Sequence, residues 1–119
     1  MITQELYTTI VGLKNYEGSK VFKIGEIVKL VKEPDNDYDL EAIACEVKYI
    51  GKTGYIGNSV KTVIKGTMSA GRIYDKIDDV SYCEVKFVSN EFVIAKVLTR
   101  DEILKLENDH PEDEFYNPK

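Results

Sequence analysis

Short runs of β-forming residues, separated by turn-forming residues, constrain the fold of this chain more than any other feature of its sequence. The clearest runs alternate apolar and polar side chains, which is the pattern of a half-buried strand. They predict six strands, at residues 6–14, 26–32, 42–50, 53–56, 80–88 and 92–98. We therefore expect a mainly β fold, a small OB-like barrel of about six strands with one or two short helices.

Two segments carry helical signals. Asn58 is a suitable N-cap for a helix over residues 59–65, whose apolar side chains share one face. The sequence from Thr99 to Glu102 has the spacing of a capping box and predicts a short helix running to about residue 107. The remaining residues, 108–119, hold two prolines and several acids, and we expect them to be mobile. Alternatively, the acidic tail mimics a phosphate backbone and folds over a basic groove, or docks a partner.

The net charge of −5 is unevenly distributed. Residues 99–119 contain three basic and seven acidic side chains, whereas residues 1–98 contain 13 basic and 14 acidic ones. We therefore divide the chain into a nearly neutral domain, residues 1–98, and a short helix with an acidic tail, residues 99–119. The domain lacks the broad basic field with which proteins grip a phosphate backbone regardless of sequence.

Candidate catalytic and metal-binding residues are sparse. Cys45 and Cys83 lie in strand-like runs and are expected to be buried thiols, and the chain has no C-x-x-C pair to hold zinc. The single histidine, His110, lies in the acidic tail, away from any rigid site. We expect neither an enzyme nor a bound metal or cofactor. We also expect no membrane partner, because no stretch approaches the roughly 20 apolar residues that a membrane crossing needs. We expect a cytoplasmic protein, because the start, Met1 to Glu5, does not resemble a signal peptide.

The most specific motif is the string VKLVKEPDNDYDLEAI at residues 28–43. It closely resembles the signature of the HIRAN domain family, which reads in effect Gly-Glu, a strand, then Arg/Lys-Glu-Pro-x-Asn-x-Tyr-Asp-x-x-Ala-Ile. Residues 11–13, 25–26 and 53–56 resemble the flanking strands of the family. The similarity covers roughly residues 8–97.

The resemblance implies an OB-like fold that binds single-stranded DNA at its 3′ end. In well-known members the domain is attached to a helicase-like motor that remodels stalled replication forks, which implies a role in DNA repair. The present chain contains no motor and is expected to be a stand-alone domain. Its expected partners are single-stranded DNA with a 3′ end and a helicase or nuclease supplied by another chain.

Tyr38 and Asp39 match the end-reading positions of the family. A base can stack on the ring of Tyr38, and a terminal 3′-hydroxyl can donate a hydrogen bond to the carboxylate of Asp39. An internal linkage would instead place a phosphate beside that carboxylate and be repelled. One aromatic ring and one carboxylate can thus distinguish the end of a strand from its middle.

Further contacts implied by the resemblance are only partly kept. Lys14, Asn15 and Tyr16 stand where the family has Arg-Tyr-Tyr, so one charge and one ring remain. Lys14 keeps its charge but lacks the two-pronged guanidinium of arginine. On the other side of the site, the supporting residues are Tyr55, Asn58 and Lys61. The start of the predicted helix would offer free N–H groups to one phosphate.

Two other interpretations stay open. Asp39 and Tyr38 could simply build and cover a turn, and the domain could be a protein-interaction or structural module that keeps the fold without binding DNA. The position of the cations distinguishes a DNA-binding domain from a protein-interaction module, in which the lysines would be scattered. A DNA-binding domain should place four lysines near the Tyr38 turn, namely Lys14, Lys32, Lys52 and Lys61.

Overall fold

The computed structural model describes residues 5–118 and contains a closed barrel of six antiparallel strands. The strands are β1 (Leu6–Val11), β2 (Ile27–Lys32), β3 (Ile43–Val47), β4 (Gly51–Ile56), β5 (Val80–Val88) and β6 (Val93–Val97). Their order around the barrel is β1-β4-β3-β2-β5-β6, and β6 pairs with β1 to close it. The predicted mainly β fold, with about six strands in a small barrel, is confirmed.

The core fills the inside of the barrel, because every second residue of each strand points inward. Val28 and Leu30 of β2 are buried, as are residues from each of the other strands, among them Ile10, Ile43, Cys45, Ile56, Cys83, Val85, Val93 and Val97. Both cysteines are free thiols, as the sequence predicted, and burial raises the pKa of each. The core therefore contains no reactive thiolate.

The first strand is shorter than predicted because Gly12 takes the left-handed conformation, with φ of 73°. The chain then turns into a single 3-10 turn, Leu13–Asn15, that packs against β4. Gly54 permits this approach, since a Cβ atom there would lie 2.7 Å from the carbonyl oxygen of Val11. The two glycines thus bring the residues after β1 to the end of β4.

The helix predicted over residues 59–65 is absent, and that prediction is wrong. The backbone N–H groups of Thr62 and Val63 both donate to the carbonyl of Ser59 at 3.0 Å, after which the chain turns away. Tertiary contacts outweigh the local helical signal, because the N–H of Ile64 donates to the hydroxyl of Thr9 at 3.2 Å. The phosphate site expected at the start of that helix is therefore absent as well.

Two α-helices lie elsewhere. The first, α1, is one turn long (Ala70–Ile73) and is capped by Ser69. The second, α2 (Arg100–Asp109), begins with the predicted capping box of Thr99 and Glu102 and ends two residues beyond the predicted end. Within residues 5–118, neither helix has the length and apolar character that a membrane crossing requires.

Residues 110–117 lie against the barrel instead of standing free of it, with the rings of Phe115 and Tyr116 beside Tyr82. The division into residues 1–98 and 99–119 stays a prediction. Of residues 1–5, which do not resemble a signal peptide, residues 1–4 lie outside the described part of the chain.

Candidate functional site

The turn between β2 and β3 is organised by the side chain of Asn36. Its Oδ1 accepts hydrogen bonds from the backbone N–H groups of Tyr38 and Asp39, at 2.9 and 3.0 Å. Its Nδ2 donates to Oε1 of Glu33 at 3.0 Å, which ties the turn to the end of β2. The backbone is thus fixed from the inside, while the side chain of Tyr38 is 97% exposed.

Asp39 is partly satisfied by two amides of the protein. Its Oδ1 accepts from the backbone N–H of Glu41 at 2.9 Å, and its Oδ2 accepts from Nδ2 of Asn58 at 2.8 Å. A carboxylate offers about four lone-pair positions, so each oxygen keeps capacity for a further donor. The side chain is half-buried, and it lies on the wall of an open groove.

This groove has a volume of about 610 Å³ and gathers most of the residues that the sequence singled out. Six of the eight line it, namely Asn15, Tyr16, Tyr38, Asp39, Tyr55 and Asn58. The other two, Lys14 and Lys61, are exposed but do not line it.

Asn58 has a different structural role from the one predicted. It does not cap a helix over residues 59–65; its Oδ1 instead accepts from the N–H of Gly71 in α1, at 2.8 Å. Because its Nδ2 binds Asp39, Asn58 joins the turn to α1 across the groove wall. The short distance is possible because position 71 is glycine, where a Cβ atom would lie 3.2 Å from Oδ1 of Asn58.

Tyr55 is held by an ionic network at the base of the turn. Its hydroxyl donates to Oε1 of Glu33 at 2.7 Å and accepts from Nζ of Lys52 at 2.9 Å, while Lys52 also lies 2.6 Å from Oε2 of Glu33. Partial burial acts to raise the pKa of Glu33, but its hydrogen bonds outweigh burial and the pKa lies below its usual value. The same bonds to Glu33 and Tyr55 raise the pKa of Lys52. The charge of Lys52 is therefore already paired.

The four lysines do not all lie at the turn. Lys52 reaches Glu33, but Lys32 donates to the carbonyl of Ile77 at 2.7 Å and lies over the ring of Tyr74, away from the groove. Within residues 5–118, no lysine or arginine lines the groove. Its polar groups are amides, hydroxyls and the carboxylate of Asp39.

Sequence reasoning missed several residues that the structure makes prominent. Asn36, Ser59 and Thr62 line the groove, and the Asn-x-Tyr-Asp spacing was a usable signal for the first, because an Asn side chain commonly bonds the backbone two residues on. Tyr49 was assigned to a strand at residues 42–50, but β3 ends at Val47. Tyr49 lies in the following turn with a φ of 69°, and it is 95% exposed.

Comparison with known proteins agrees with this geometry. The chain is similar in structure to the HIRAN domain of human HLTF, with a TM-score of 0.55, 23% identity, and coverage of 88% of this chain and 84% of that one. It is also similar to a protein from Lactobacillus plantarum, with a TM-score of 0.55, 18% identity, and coverage of 79% and 93%. At these identities, both likenesses show the fold alone.

A search of curated proteins found no significant match. The sequence model of the HIRAN domain matches residues 3–77, which include β1 to β4, the turn carrying Tyr38 and Asp39, and α1. This match extends over more than half of the chain, so the chain belongs to the HIRAN domain family.

Proposed function

We propose that this domain binds the 3′ end of single-stranded DNA in the groove beside Tyr38 and Asp39. The observation that carries the proposal is the pairing of a 97% exposed ring with a neighbouring carboxylate that keeps acceptor capacity. Stacking of a base on such a ring is worth roughly 1–3 kcal/mol and depends little on the base. The ring would supply affinity and the carboxylate would supply end selectivity.

The selectivity follows from the charge of the strand. A free 3′-hydroxyl donates a hydrogen bond to Asp39, and bonds to charged acceptors are the stronger ones. A phosphate at the same place, whether internal or terminal, would bring two negative groups together. The amide of Asn15 on the groove wall is suited to the neutral sugar and base edges, whereas the amides of Asn36 and Asn58 already bond within the protein. Because few phosphates would be neutralised, affinity should depend weakly on salt.

We infer that the domain binds rather than catalyses, and that it serves a helicase or nuclease on another chain in DNA repair within the cytoplasm. The motif at residues 28–43 supports the binding role and the partner through its family resemblance.

One observation favours a second candidate, a protein-interaction module of the same fold. Within the described residues no cation lines the groove, and Lys52 is paired with Glu33. A groove with amides, hydroxyls and exposed Tyr38 would also accept a neutral peptide segment. The two candidates differ in whether the ligand must carry a 3′-hydroxyl.

The test compares a labelled oligonucleotide ending in a 3′-hydroxyl with the same strand ending in a 3′-phosphate, by fluorescence anisotropy at low and moderate salt. We expect the wild type to prefer the hydroxyl by about tenfold, which corresponds to about 1.4 kcal/mol. Asp39→Asn should abolish the preference. Asp37→Asn removes the same charge from an exposed position of the same turn and should keep it.

Melting curves of both variants separate loss of recognition from loss of folding, since Asp39 also holds Glu41 and Asn58. Equal binding of both strands by the wild type would contradict the role of Asp39. Failure to bind either strand at low salt would favour the protein-interaction module.

A further inference from the structure

The outer surface of β5 carries a buried tyrosine. Its neighbours Ser81 and Cys83 pair with the inward-facing Leu30 and Val28 of β2, so Tyr82 points out of the barrel. An outward side chain on a barrel strand is normally exposed, yet Tyr82 is only 2% exposed. The cover is the chain segment after α2, residues 110–117, which we name the C-terminal strap.

The strap binds this surface through rings and charges. The rings of Phe115 and Tyr116 lie 5.9 and 5.8 Å from the ring of Tyr82, centre to centre, and the Tyr82 hydroxyl donates to the carbonyl of Phe115 at 2.5 Å. The ammonium group of Lys29 lies 4.7 Å from the centre of the Phe115 ring. Lys48 forms an ion pair with Asp113.

No main-chain pairing holds the strap to the barrel. Three of its backbone hydrogen bonds are internal, from Asp113 to the carbonyl of His110 and from Tyr116 and Asn117 to the carbonyl of Asp113, at 2.9–3.1 Å, and the N–H of His110 donates to the carbonyl of Leu106 in α2 at 3.0 Å. Within residues 5–118, no backbone–backbone hydrogen bond joins residues 110–117 to a strand. The strap is thus a preformed turn that is seated on the barrel by side chains and by the carbonyl of Phe115, and a segment with the same groups could take its place.

The surface continues beyond the strap. An open cleft of about 490 Å³ lies beside it, lined on the barrel side by Lys29, Lys48 and Tyr49. Tyr49 is 95% exposed and held in a left-handed backbone conformation, which costs about 1–3 kcal/mol for a residue other than glycine and commonly marks a functional site. The strap therefore fills only part of a larger cationic and aromatic surface.

We propose that the surface formed by Lys29, Lys48, Tyr49 and Tyr82 binds an acidic segment with adjacent aromatic residues, supplied by a partner protein, and that the C-terminal strap occupies it in the absence of the partner. The seated strap defines the chemistry of the occupant, a carboxylate on Lys48 and two rings on Lys29 and Tyr82. This surface is separate from the groove at Tyr38, and the proposal does not depend on DNA binding there.

A peptide fits this surface better than a nucleic acid does. Glu46 is the direct neighbour of Lys29 across β2 and β3, so a regular row of phosphates along the strands would meet a carboxylate. A peptide can place its carboxylate only at Lys48 and its rings elsewhere. Charge complementarity together with the rings of Tyr49 and Tyr82 thus favours a protein segment.

The attached strap competes with any partner. A segment tethered through a short connection acts at an effective concentration on the order of millimolar, so a free peptide at micromolar concentration should bind the wild type poorly. The strap must therefore be released before binding in trans can be measured. The variant Asp113→Asn/Phe115→Ser/Tyr116→Ser removes its three contact groups in the full chain.

The probe is a fluorescein-labelled peptide with the sequence of residues 109–118, and its control carries serine in place of both aromatic residues. We expect the triple variant to bind the probe at least about tenfold more tightly than the wild type does, and to bind the control peptide weakly. Adding Lys48→Ala should reverse the gain, whereas adding Lys65→Ala, at an exposed position elsewhere, should not. Tyr38→Ala should leave peptide binding unchanged, which separates this test from the test of the groove.

Circular dichroism establishes that the triple variant is folded. If the triple variant is unfolded, the test uses Asp113→Asn alone, which removes only the ion pair with Lys48. This variant should bind the probe peptide more tightly than the wild type does, by a smaller factor, and unchanged affinity would overturn the proposal. Equal binding of the probe and the control peptide would also overturn it. The proposal would also be overturned if the triple variant bound a single-stranded oligonucleotide more tightly but did not bind the peptide, because the surface would then belong to nucleic acid. It would equally be overturned if the wild type were a dimer that the triple substitution dissociates, because the surface would then bind a second copy of the chain.

Discussion

Two surfaces of this barrel carry prominent tyrosines, and they differ in whether the chain covers them. At the turn between β2 and β3, Asn36 fixes the backbone while Tyr38 is 97% exposed. On the outer face of β5, Tyr82 is only 2% exposed because the C-terminal strap lies over it. The groove beside Tyr38 is lined by neutral polar groups and one carboxylate, whereas the covered face contains two lysines, Lys29 and Lys48.

This difference in burial indicates which of the two rings, Tyr82 or Tyr38, stabilises the folded protein. Tyr82 contributes to folding, because its ring and hydroxyl already have partners within the chain. Tyr38 contributes almost nothing to folding, since its side chain buries little surface. A backbone fixed by Asn36 that presents an unburied ring is thus suited to an external ligand.

The largest effect should separate the two tyrosines by stability. Tyr82→Ala removes a ring buried under the strap and should lower the free energy of unfolding by about 3 kcal/mol, as buried aromatic truncations do. Tyr38→Ala should change it by less than about 0.5 kcal/mol. Chemical denaturation of both variants measures the difference, and equal losses would contradict the contrast between a covered and an open surface.

The next effect concerns ligand affinity and compares two exposed rings. Tyr38→Ala should weaken binding of a 3′-hydroxyl oligonucleotide by roughly tenfold to a hundredfold, because stacking on the ring is lost. Tyr49→Ala truncates a ring that is equally exposed but lies in the turn after β3, and it should have no effect on this binding. Anisotropy titrations measure both affinities. A similar loss in the two variants would show that stacking is not specific to the groove.

The smallest effect is a pH dependence on the groove side. The folded protein lowers the pKa of Glu33 below its ordinary 4.5, so the unfolded chain takes up the proton first. The contribution of Glu33 is therefore complete above the unfolded pKa and is lost as pH falls through the lower folded value. For a solvent-accessible pair it should amount to less than about 1 kcal/mol.

Glu33→Gln should flatten the acid limb of the stability curve by this amount. Glu112→Gln, at an exposed position of the strap, provides the control and should leave the limb unchanged. Urea unfolding between neutral and acidic pH measures both curves. A limb that is unaltered in Glu33→Gln would mean that the charge of Glu33 contributes no pH-dependent stability through Lys52 and Tyr55.

Much of the barrel could be predicted because its strands carry their own signal. Alternation around Val28 and Leu30, and the turn residues near Asn36, mark strand and turn locally. The capping box at Thr99 was equally local and was confirmed. The helix over residues 59–65 failed because Ile64 bonds to Thr9 on a distant strand, which no local pattern reveals.

The candidate site also has one part that a local motif predicts and another part that depends on distant contacts. Tyr38 and Asp39 were identified from a contiguous motif, and the groove brings them beside Tyr16, Tyr55 and Asn58. A cluster of lysines near the turn was expected only of a DNA-binding domain, and the sequence could not show where their side chains lie. The direction in which a lysine side chain points depends on partners far along the chain, as in the hydrogen bond from Lys32 to the carbonyl of Ile77. The seating of Phe115 on Tyr82 likewise could not be predicted, since the acidic composition of the tail indicated solvation, or docking through its charge, but no aromatic contact.

The closure of the barrel limits how other molecules can attach to it. Because β6 pairs with β1, each of the six described strands has a neighbour on both sides, although β1 and β4 pair only at Ile10–Ile56 and Val11–Tyr55. A guest strand could therefore find unpaired main-chain donors and acceptors only along the short β1–β4 seam, which confines edge-to-edge aggregation and β-augmentation to that place. Anything that docks elsewhere on the barrel must be recognised by side chains and loops, so selectivity there can be altered by point substitution without disturbing the hydrogen-bonded framework.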